Sequence, residues 1–468
     1  RLQLNKTREL ERDMDFHIIV LAAGKGSRMK SDKPKVLHTL AGKPMLTHVL
    51  ETALALNPDR IHVVIGHGAD QLRAHYQQFE YPLNWVEQHE QLGTGHAVAQ
   101  VLPHLNDGSK VLVLYGDVPL IANDSLNELI GLADQETLAL LTMDVEDPTG
   151  YGRIVRNVAD ELVAIVEQKD ANEEQLAIQE INTGFMAATS DNLKQWLPRL
   201  SSDNAQGEYY LTDLVALAVS DGKEVESCSP SSPEEVQGVN DRLQLCELEC
   251  WFQSQYGERL LRDGVSLFDP NRIDIRGELV CGKDVTIDLN CVFIGRVTLA
   301  DGVYIGPNCI ITNSSIGENT TVNSHSVIEE SQVDGHCNIG PFARLRPGTA
   351  LAENAKIGNF VETKKANIGS GSKVNHLSYI GDAEIGDDVN IGAGTITCNY
   401  DGVNKYQTKL ENDVFIGSNS SLVAPIVVKQ GATVGAGSVV TKDVDAQQLA
   451  VARGKQVNIS NWKKLTKK

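Results

Sequence analysis

Ile275, Cys281, Ile287, Phe293, Leu299, Ile305 and Ile311 stand six residues apart, and the rhythm runs on, with occasional five-residue steps, to about residue 446. It continues through Ile316, Val322 and Ile328, through Val333, Ile339, Leu345, Leu351 and Ile357, and through Ile368, Val374, Ile380, Ile385 and Ile391. After a gap, Ile416, Leu422, Val428, Val434 and Val440 resume it. A period of six fits neither the helical turn nor the alternation of a half-buried strand. It fits a parallel β-helix in which each hexad is one short flat side, three sides close a triangular coil, and the aliphatic residue points inward. At roughly 18 residues per coil, nine or ten coils would stack at ~4.8 Å into a prism about 45 Å long. Many inward residues precede glycine (Ile305-Gly306, Ile357-Gly358, Ile391-Gly392, Ile416-Gly417), and these glycines are expected to turn the corners.

The pattern before residue 265 is different. Ile18 to Leu21, Ile61 to Ile65 and Val111 to Tyr115 are short β-rich runs, separated by helical stretches such as Thr47 to Leu56 and Thr94 to Leu102. This βαβ alternation predicts a Rossmann-like α/β domain whose ligands sit outside the carboxyl ends of the strands. From Asp241 to Gly264, Leu245, Leu248, Phe252, Tyr256 and Leu260 recur at three or four, predicting an amphipathic connecting helix. The expected division is a polar extension (1–13), an α/β domain (14–240), the helix (241–264), the solenoid (265–446) and a basic tail (447–468).

A chain of 468 residues is too long for one core. The net charge of −20 argues against non-specific binding to nucleic acid or an anionic membrane. Local fields differ: Arg344 to Lys373 holds six basic and two acidic residues, and Arg453 to Lys468 six basic and no acidic ones, so both could hold phosphates. The eight cysteines are scattered without CxxC pairs or zinc-like histidine spacing, as suits a reducing cytoplasm. The apolar run Phe16 to Ala23 is far too short to span a membrane.

Candidate chemistry begins at the turn after the first strand, Leu21-Ala22-Ala23-Gly24-Lys25-Gly26-Ser27-Arg28-Met29, followed by Pro34-Lys35. Glycines let backbone wrap a phosphate, while Arg28 and Lys35 can neutralise a departing pyrophosphate. The string resembles the signature of sugar-nucleotide pyrophosphorylases. Further matches follow in order: Gln88, Gln91-Leu92-Gly93-Thr94-Gly95, Tyr115-Gly116-Asp117, Gly150-Tyr151-Gly152-Arg153, Ile165-Val166-Glu167, Ile181-Asn182-Thr183-Gly184, Gly207 to Asp213, and Gly238-Val239-Asn240. With the hexads, they make residues 16–455 resemble the bacterial enzymes that combine N-acetylglucosamine-1-phosphate uridylyltransferase with glucosamine-1-phosphate N-acetyltransferase. Ser27 stands where that family usually has Thr, which keeps the hydroxyl.

The resemblance implies a left-handed β-helix, Mg²⁺ held by Asp117 and Asn240, and catalytic roles for Arg28 and Lys35. It implies a nucleotide subsite of Leu21, Ala22, Ala23, Gly24, Lys35, Gln88, Gly93, Thr94, Tyr115, Gly116 and Asp117, and a sugar subsite of Gly152, Glu167, Asn182, Thr212 and Asn240. Two oxygens with phosphates and water would complete a reasonable Mg²⁺ octahedron. Without the resemblance, Asp117 reads as a turn residue before Pro119 and Asn240 as a helix N-cap.

In the solenoid, the charges of Arg344-Leu345-Arg346 and Glu362-Thr363-Lys364-Lys365 must point away from an aliphatic interior. Amide formation from a thioester needs a base for the amine proton, which suits the outward His376, two residues past Val374. The resemblance implies His376 as that base, with Arg346, Lys364, Tyr379 and Asn390 on the sugar phosphate. It assigns Ala393, Asn399, Tyr400, Ser418, Ala436 and Arg453 to acetyl-CoA, with Asn399 and Tyr400 on its acceptor side. The break at Cys398 to Lys405 reads as an extruded loop. Glucosamine 1-phosphate, acetyl-CoA, UTP and N-acetylglucosamine 1-phosphate are thus the implied partners, in a cytoplasmic homotrimer that shares acetyl sites between subunits. A glucose-1-phosphate adenylyltransferase would join the same two folds, but would not need His376 among basic neighbours. A non-catalytic regulatory subunit would not need intact Asp117, Lys35 and His376.

Overall fold

The computed structural model describes residues 14–79 and 81–463; the extension 1–13 and the end of the basic tail, with Lys464, Lys467 and Lys468, lie outside the described residues. The chain divides into two compact units, Arg1–Trp251 and Phe252–Lys468, with the division inside the long helix Arg242–Arg262.

In the first unit the strands and main helices are β1 (Phe16–Leu21), α1 (Met45–Ala55), β2 (Arg60–Ile65), β3 (Asn84–Glu87), α2 (Thr94–Ala99), β4 (Lys110–Tyr115), α3 (Asn123–Leu132), β5 (Thr137–Asp144), β6 (Arg153–Arg156), β7 (Leu162–Val166), β8 (Glu180–Thr189), α4 (Leu214–Ser220) and β9 (Glu224–Cys228). The sheet order is β9-β5-β8-β4-β1-β2-β3, with the β6–β7 hairpin joined to β8. β4, β1, β2 and β3 are parallel, as the βαβ pattern predicts. The apolar runs of β1, β2 and β4 are continuous because the sheet is covered on both faces: Ile18 and Val20 of β1 pack on one side, Ile19 on the other. The sheet is nevertheless mixed, since β8 runs antiparallel to both β4 and β5. Its register shifts between Asn182 and Met186, where Gly184 adopts φ +95° and a Cβ would stand 2.8 Å from the Tyr115 ring. This bulge makes room for the aromatic side chain that ends β4.

The second unit is a solenoid of short parallel strands. One side holds eleven strands, from Ser266–Leu267 to Leu449–Ala450, and therefore ten coil-to-coil steps. Inward positions mostly pair with their equivalents 17 or 18 residues on, as in Ile287↔Ile305, Ile305↔Val322 and Val322↔Ile339, and the step lengthens where the loop intervenes, as in Ile391↔Ile416. Every hexad residue named above is buried except Cys281, which is partly exposed at the edge of the core. Where the apolar rhythm skips, Thr363 and Thr397 fill the inward position and are buried. Their hydroxyls are satisfied inside, Thr363 against the Thr349 hydroxyl at 3.0 Å and Thr397 donating to the Gly381 carbonyl at 3.0 Å.

The corners are not turned by the glycines that follow the inward residues. The left-handed positions come later in each side and are mostly other residues: Asn308, His325, Phe342, Phe360 and Leu377 along one corner, Asn319, Asn354 and Asp388 along another. The glycines serve close approach between coils. A Cβ on Gly306, Gly392 or Gly358 would fall 2.9 Å from Ser324 N, 2.5 Å from Ser418 N and 1.9 Å from Asn375 O respectively.

Candidate functional site

In the first unit, β1 delivers Leu21 to the carboxyl edge of the sheet. The Ala22 amide there donates to the Val64 carbonyl at 2.8 Å, and the Gly116 amide to the Leu21 carbonyl at 2.9 Å. Gly26 takes φ +59°, and a Cβ on it would lie 2.6 Å from Lys35 Cβ, so the turn folds directly onto the Pro34-Lys35 segment. Lys35 forms an ion pair with Asp117, and both side chains are largely buried. Its Nζ also lies 3.5 Å from Asn240 Oδ1, which accepts a 2.8 Å hydrogen bond from Arg28 Nη2. Asn240 is brought there by the Val239 amide, which donates to the Asp117 carbonyl at 2.9 Å, and its own amide donates to Gln244 Oε1 at 2.7 Å. Two side-chain oxygens and two cations, from the 28–35 turn, Asp117 and Asn240, thus meet at one point.

Beside this cluster lies a cavity of about 240 Å³. Leu21, Ala22, Ala23, Gly24 and Lys35 form part of its wall, with Gln88, Gly93, Thr94, Tyr115 and Asp117. Gly116 is not in the wall; a Cβ there would press within 3.3 Å of the Leu21 carbonyl and Val36. Gln88 is buried, and its Nε2 donates to the Gly93 carbonyl and to His96 Nδ1, each at 3.1 Å. Gly93 has φ +111°, and a Cβ would stand 2.6 Å from the Tyr209 carbonyl. Thr94 Oγ1 accepts from the Leu211 amide at 3.2 Å, so the 88–95 loop is clamped to the 207–211 segment. Gln91 and Glu208 also line the cavity. Their motifs are visible in sequence, but only the clamp shows that they share a wall.

The expected sugar residues gather around the β6–β7 hairpin. Glu167 Oε1 accepts from Thr212 Oγ1 at 3.1 Å, and a Cβ on Gly152 would lie 3.5 Å from that same oxygen. The Asn182 amide donates to the Gly152 carbonyl at 2.9 Å. Burial pushes the Glu167 carboxyl above the usual range, and the carboxylates of Asp213, Asp170 and Glu208 add to the effect. Asn240 stands with Lys35 and Arg28. Among the described residues no group of three or more His, Cys, Asp or Glu side chains could hold a metal.

In the second unit, residues two beyond the paired inward positions form a column along one corner, one per coil. Asn359, His376, Ala393, Ser418 and Ala436 succeed one another: the Leu377 amide donates to the Asn359 carbonyl (3.1 Å), Gly394 to His376 (3.2 Å), Asn419 to Ala393 (2.7 Å) and Gly437 to Ser418 (2.8 Å). Arg453 Nη1 donates to the Ala436 carbonyl at 2.7 Å and caps the column. The exposed His376 ring contacts Asn359 Oδ1 through Nδ1 at 2.6 Å. Asn390 lies on this same side, paired with Lys373 and Phe415.

Around the corner, the Arg346 amide donates to the Thr363 carbonyl at 2.9 Å, placing Arg346 one coil from Lys364. Arg346 Nη1 also bonds Glu362 Oε1 at 2.8 Å, and Glu362 stands opposite Tyr379 in the ladder. Lys405, then Arg346, press the Lys364 ammonium pKa downward, so the three cations form a crowded positive corner. The extruded loop closes on a Tyr400–Lys405 bridge. Tyr400 is exposed at that closing bridge, whereas Asn399 is buried and bonded to Asp382, which anchors the loop.

Comparison with known proteins follows this division. Residues 18–179 match the family model of the MobA-like NTP transferase domain, residues 275–361 that of the GMPPB C-terminal domain, and residues 407–442 that of the hexapeptide repeat of succinyl-transferase. The chain is similar to the bifunctional protein GlmU of Marinobacter nauticus, 60% identical over 96% of this chain and 98% of that protein. The GlmU of Saccharophagus degradans is 60% identical over 97% of this chain and 100% of its own, and that of Idiomarina loihiensis 55% identical over 96% and 98%. Near full-length identity at this level, over a nucleotidyltransferase domain and a hexapeptide solenoid in the same order, places the chain in the family of bifunctional GlmU proteins.

Proposed function

We propose that the chain makes UDP-N-acetylglucosamine in two consecutive steps. The solenoid transfers the acetyl group of acetyl-CoA to the amine of glucosamine 1-phosphate, and the α/β domain then joins the product to UMP from UTP and releases pyrophosphate. The observation that carries this reading is the presence, in one chain, of an oxygen-and-cation cluster beside a cavity of about 240 Å³ and of an exposed imidazole beside crowded cations.

In the acetyl step the phosphate is held by Arg346 and Lys364, with Tyr379 and Asn390 orienting the sugar. The amine attacks the thioester carbonyl, its proton passes to His376, and the coenzyme leaves as the thiol. Acetyl-CoA lies along the column of Ala393, Ser418 and Ala436, whose small side chains leave the corner open, with Arg453 at its far end. Asn399 and Tyr400 bound the acceptor side. The basic tail after Arg453 meets the coenzyme's phosphates, so truncation there raises the KM for acetyl-CoA and weakens its salt dependence; a KM and salt dependence left unchanged contradict this.

In the uridylyl step a phosphate oxygen of N-acetylglucosamine 1-phosphate attacks the α-phosphorus of UTP. Gln88, Gly93 and Thr94 read the base, and Gly152, Glu167, Asn182 and Thr212 hold the sugar. Arg28 and Lys35 neutralise the departing pyrophosphate. The donor set suits a hard cation, because the oxygens of Asp117 and Asn240 already converge on the Lys35 ammonium. Mg²⁺ held by Asp117 and Asn240 would supply charge neutralisation at the phosphates. The assembly is a cytoplasmic homotrimer through the solenoid; among the described residues no helix is long and apolar enough to cross a membrane.

The test uses two variants. Asp117→Ala abolishes uridylyl transfer and spares acetylation, and His376→Ala does the reverse; loss of both activities from either change in a folded protein contradicts separate sites.

A further inference from the structure

Most strands on the His376 side of the solenoid are two residues long, as in Asn338–Ile339 and Asn390–Ile391. Two consecutive ones, Lys356–Asn359 and Lys373–His376, are four, and their ladder extends to the pair Asn359↔His376. The extension depends on Gly358. A Cβ there would fall 1.9 Å from the Asn375 carbonyl, so no other residue lets these coils approach so closely beside the imidazole. Directly opposed side chains one coil apart are within reach of each other. Here they meet at 2.6 Å, Asn359 Oδ1 against His376 Nδ1. The backbone under the ring is fixed as well, with the Ser378 hydroxyl donating to the His376 carbonyl at 2.9 Å.

We propose that Asn359 is a positioning residue for acetyl transfer: its carboxamide oxygen accepts the proton of His376 Nδ1 and so keeps the Nε2 lone pair free for the substrate amine. The proposal rests on the reading of His376 as the base. A carbonyl oxygen can only accept, so this contact requires the proton on Nδ1. An imidazole without that partner divides between tautomers, and the one protonated at Nε2 cannot take a proton there. The partner is neutral, and this matters. A carboxylate would fix the same tautomer but favour the protonated ring, which is no base. The amide orients the imidazole without adding a charge beside a corner meant for phosphate.

The experiment uses the full-length protein as wild type, Asn359→Ala, Asn359→Asp and His376→Ala, assayed for acetylation well above the imidazole titration range. Asn359→Ala is expected to lower kcat roughly 10- to 100-fold, as loss of an orienting partner does, with both KM values little changed. Asn359→Asp, which restores the acceptor, recovers most of that rate. In parallel, ¹⁵N spectra of histidine-labelled protein, with the His376 signals assigned by their absence from His376→Ala, place the proton on Nδ1 in the wild type and divide it between the Nδ1–H and Nε2–H tautomers in Asn359→Ala. An unchanged kcat in Asn359→Ala, a wild-type proton on Nε2, or a lost rate with an unchanged tautomer overturns the positioning role. Full acetylation by His376→Ala instead overturns the base assignment on which it rests.

Discussion

Arg28 and Asn240, 212 residues apart in the chain, meet at 2.8 Å, and the Asn240 oxygen they share lies 3.5 Å from the Lys35 ammonium. Under the proposed function, pyrophosphate departure and the holding of the nucleotide phosphates are one electrostatic problem, met by groups from the first turn and the last loop of the α/β domain. Removing one preorganised partner of this kind costs about 10²- to 10³-fold in rate. Arg28→Ala and Asn240→Ala are each expected to lower uridylyl kcat by that order while acetylation in the same preparation is unchanged. Steady-state assays of the two reactions check this.

Glu167 is half-buried, protonates more readily than an ordinary carboxyl, and accepts from Thr212 at 3.1 Å. A hydrogen bond to a charged group contributes roughly 1.5–3 kcal/mol. Glu167→Ala should therefore raise the KM for N-acetylglucosamine 1-phosphate about 10- to 100-fold and leave the KM for UTP nearly unchanged. Equal effects on both would place Glu167 outside the sugar subsite.

The inter-coil glycines give a graded stability series. A methyl on Gly358, Gly392 or Gly306 would stand 1.9, 2.5 or 2.9 Å from backbone of the next coil. Overpacking costs about 1–3 kcal/mol or more. Alanine at these positions should lower the melting midpoint of the solenoid in the order Gly358, Gly392, Gly306, as calorimetry can measure.

His62 is fully buried in the α/β domain, with His17 Nδ1 2.9 Å from its Nε2 and Asn84 Nδ2 2.7 Å from its Nδ1. Burial first, then His17, His104 and Arg60, push its pKa down to about 4. Burial and Arg60 also lower His17, against the opposing pull of Asp15 and Asp59. Below the ordinary histidine value of 6.5, the unfolded chain binds protons that the folded domain refuses, so stability falls from there down to about pH 4. The loss from His62 is ~3 kcal/mol at the lower limit. Melting of the α/β domain should steepen with acid across this window, and His62→Gln should flatten the slope; an equal slope in the variant would contradict the assignment.

The solenoid was legible because a six-residue apolar period has few physical solutions, and its inward residues are buried as the period requires. Thr363 and Thr397 were not, since a hydroxyl reads as polar until a neighbouring hydroxyl or carbonyl inside the coil satisfies it. The corner glycines were misread for a related reason. Sequence shows that Gly358 lacks a side chain, but only packing shows whether that freedom serves a left-handed φ or the approach of Asn375. In the α/β domain, the strands β1, β2 and β4 followed from their apolar runs, whereas β3, Asn84-Trp85-Val86-Glu87, carries no such run and was not legible. The antiparallel course of β8 and the clamp of Tyr209 and Leu211 on residues 93–95 depend on pairings between distant segments, which no local pattern encodes.

The most direct test of the two-step account offers the protein glucosamine 1-phosphate, acetyl-CoA, UTP and Mg²⁺, omits each in turn, and identifies the products by mass. The account predicts UDP-N-acetylglucosamine, free coenzyme A and pyrophosphate from the complete mixture, coenzyme A release without UTP, and no nucleotide sugar without acetyl-CoA. UDP-N-acetylglucosamine formed in the absence of acetyl-CoA, or coenzyme A that is never released, would contradict it.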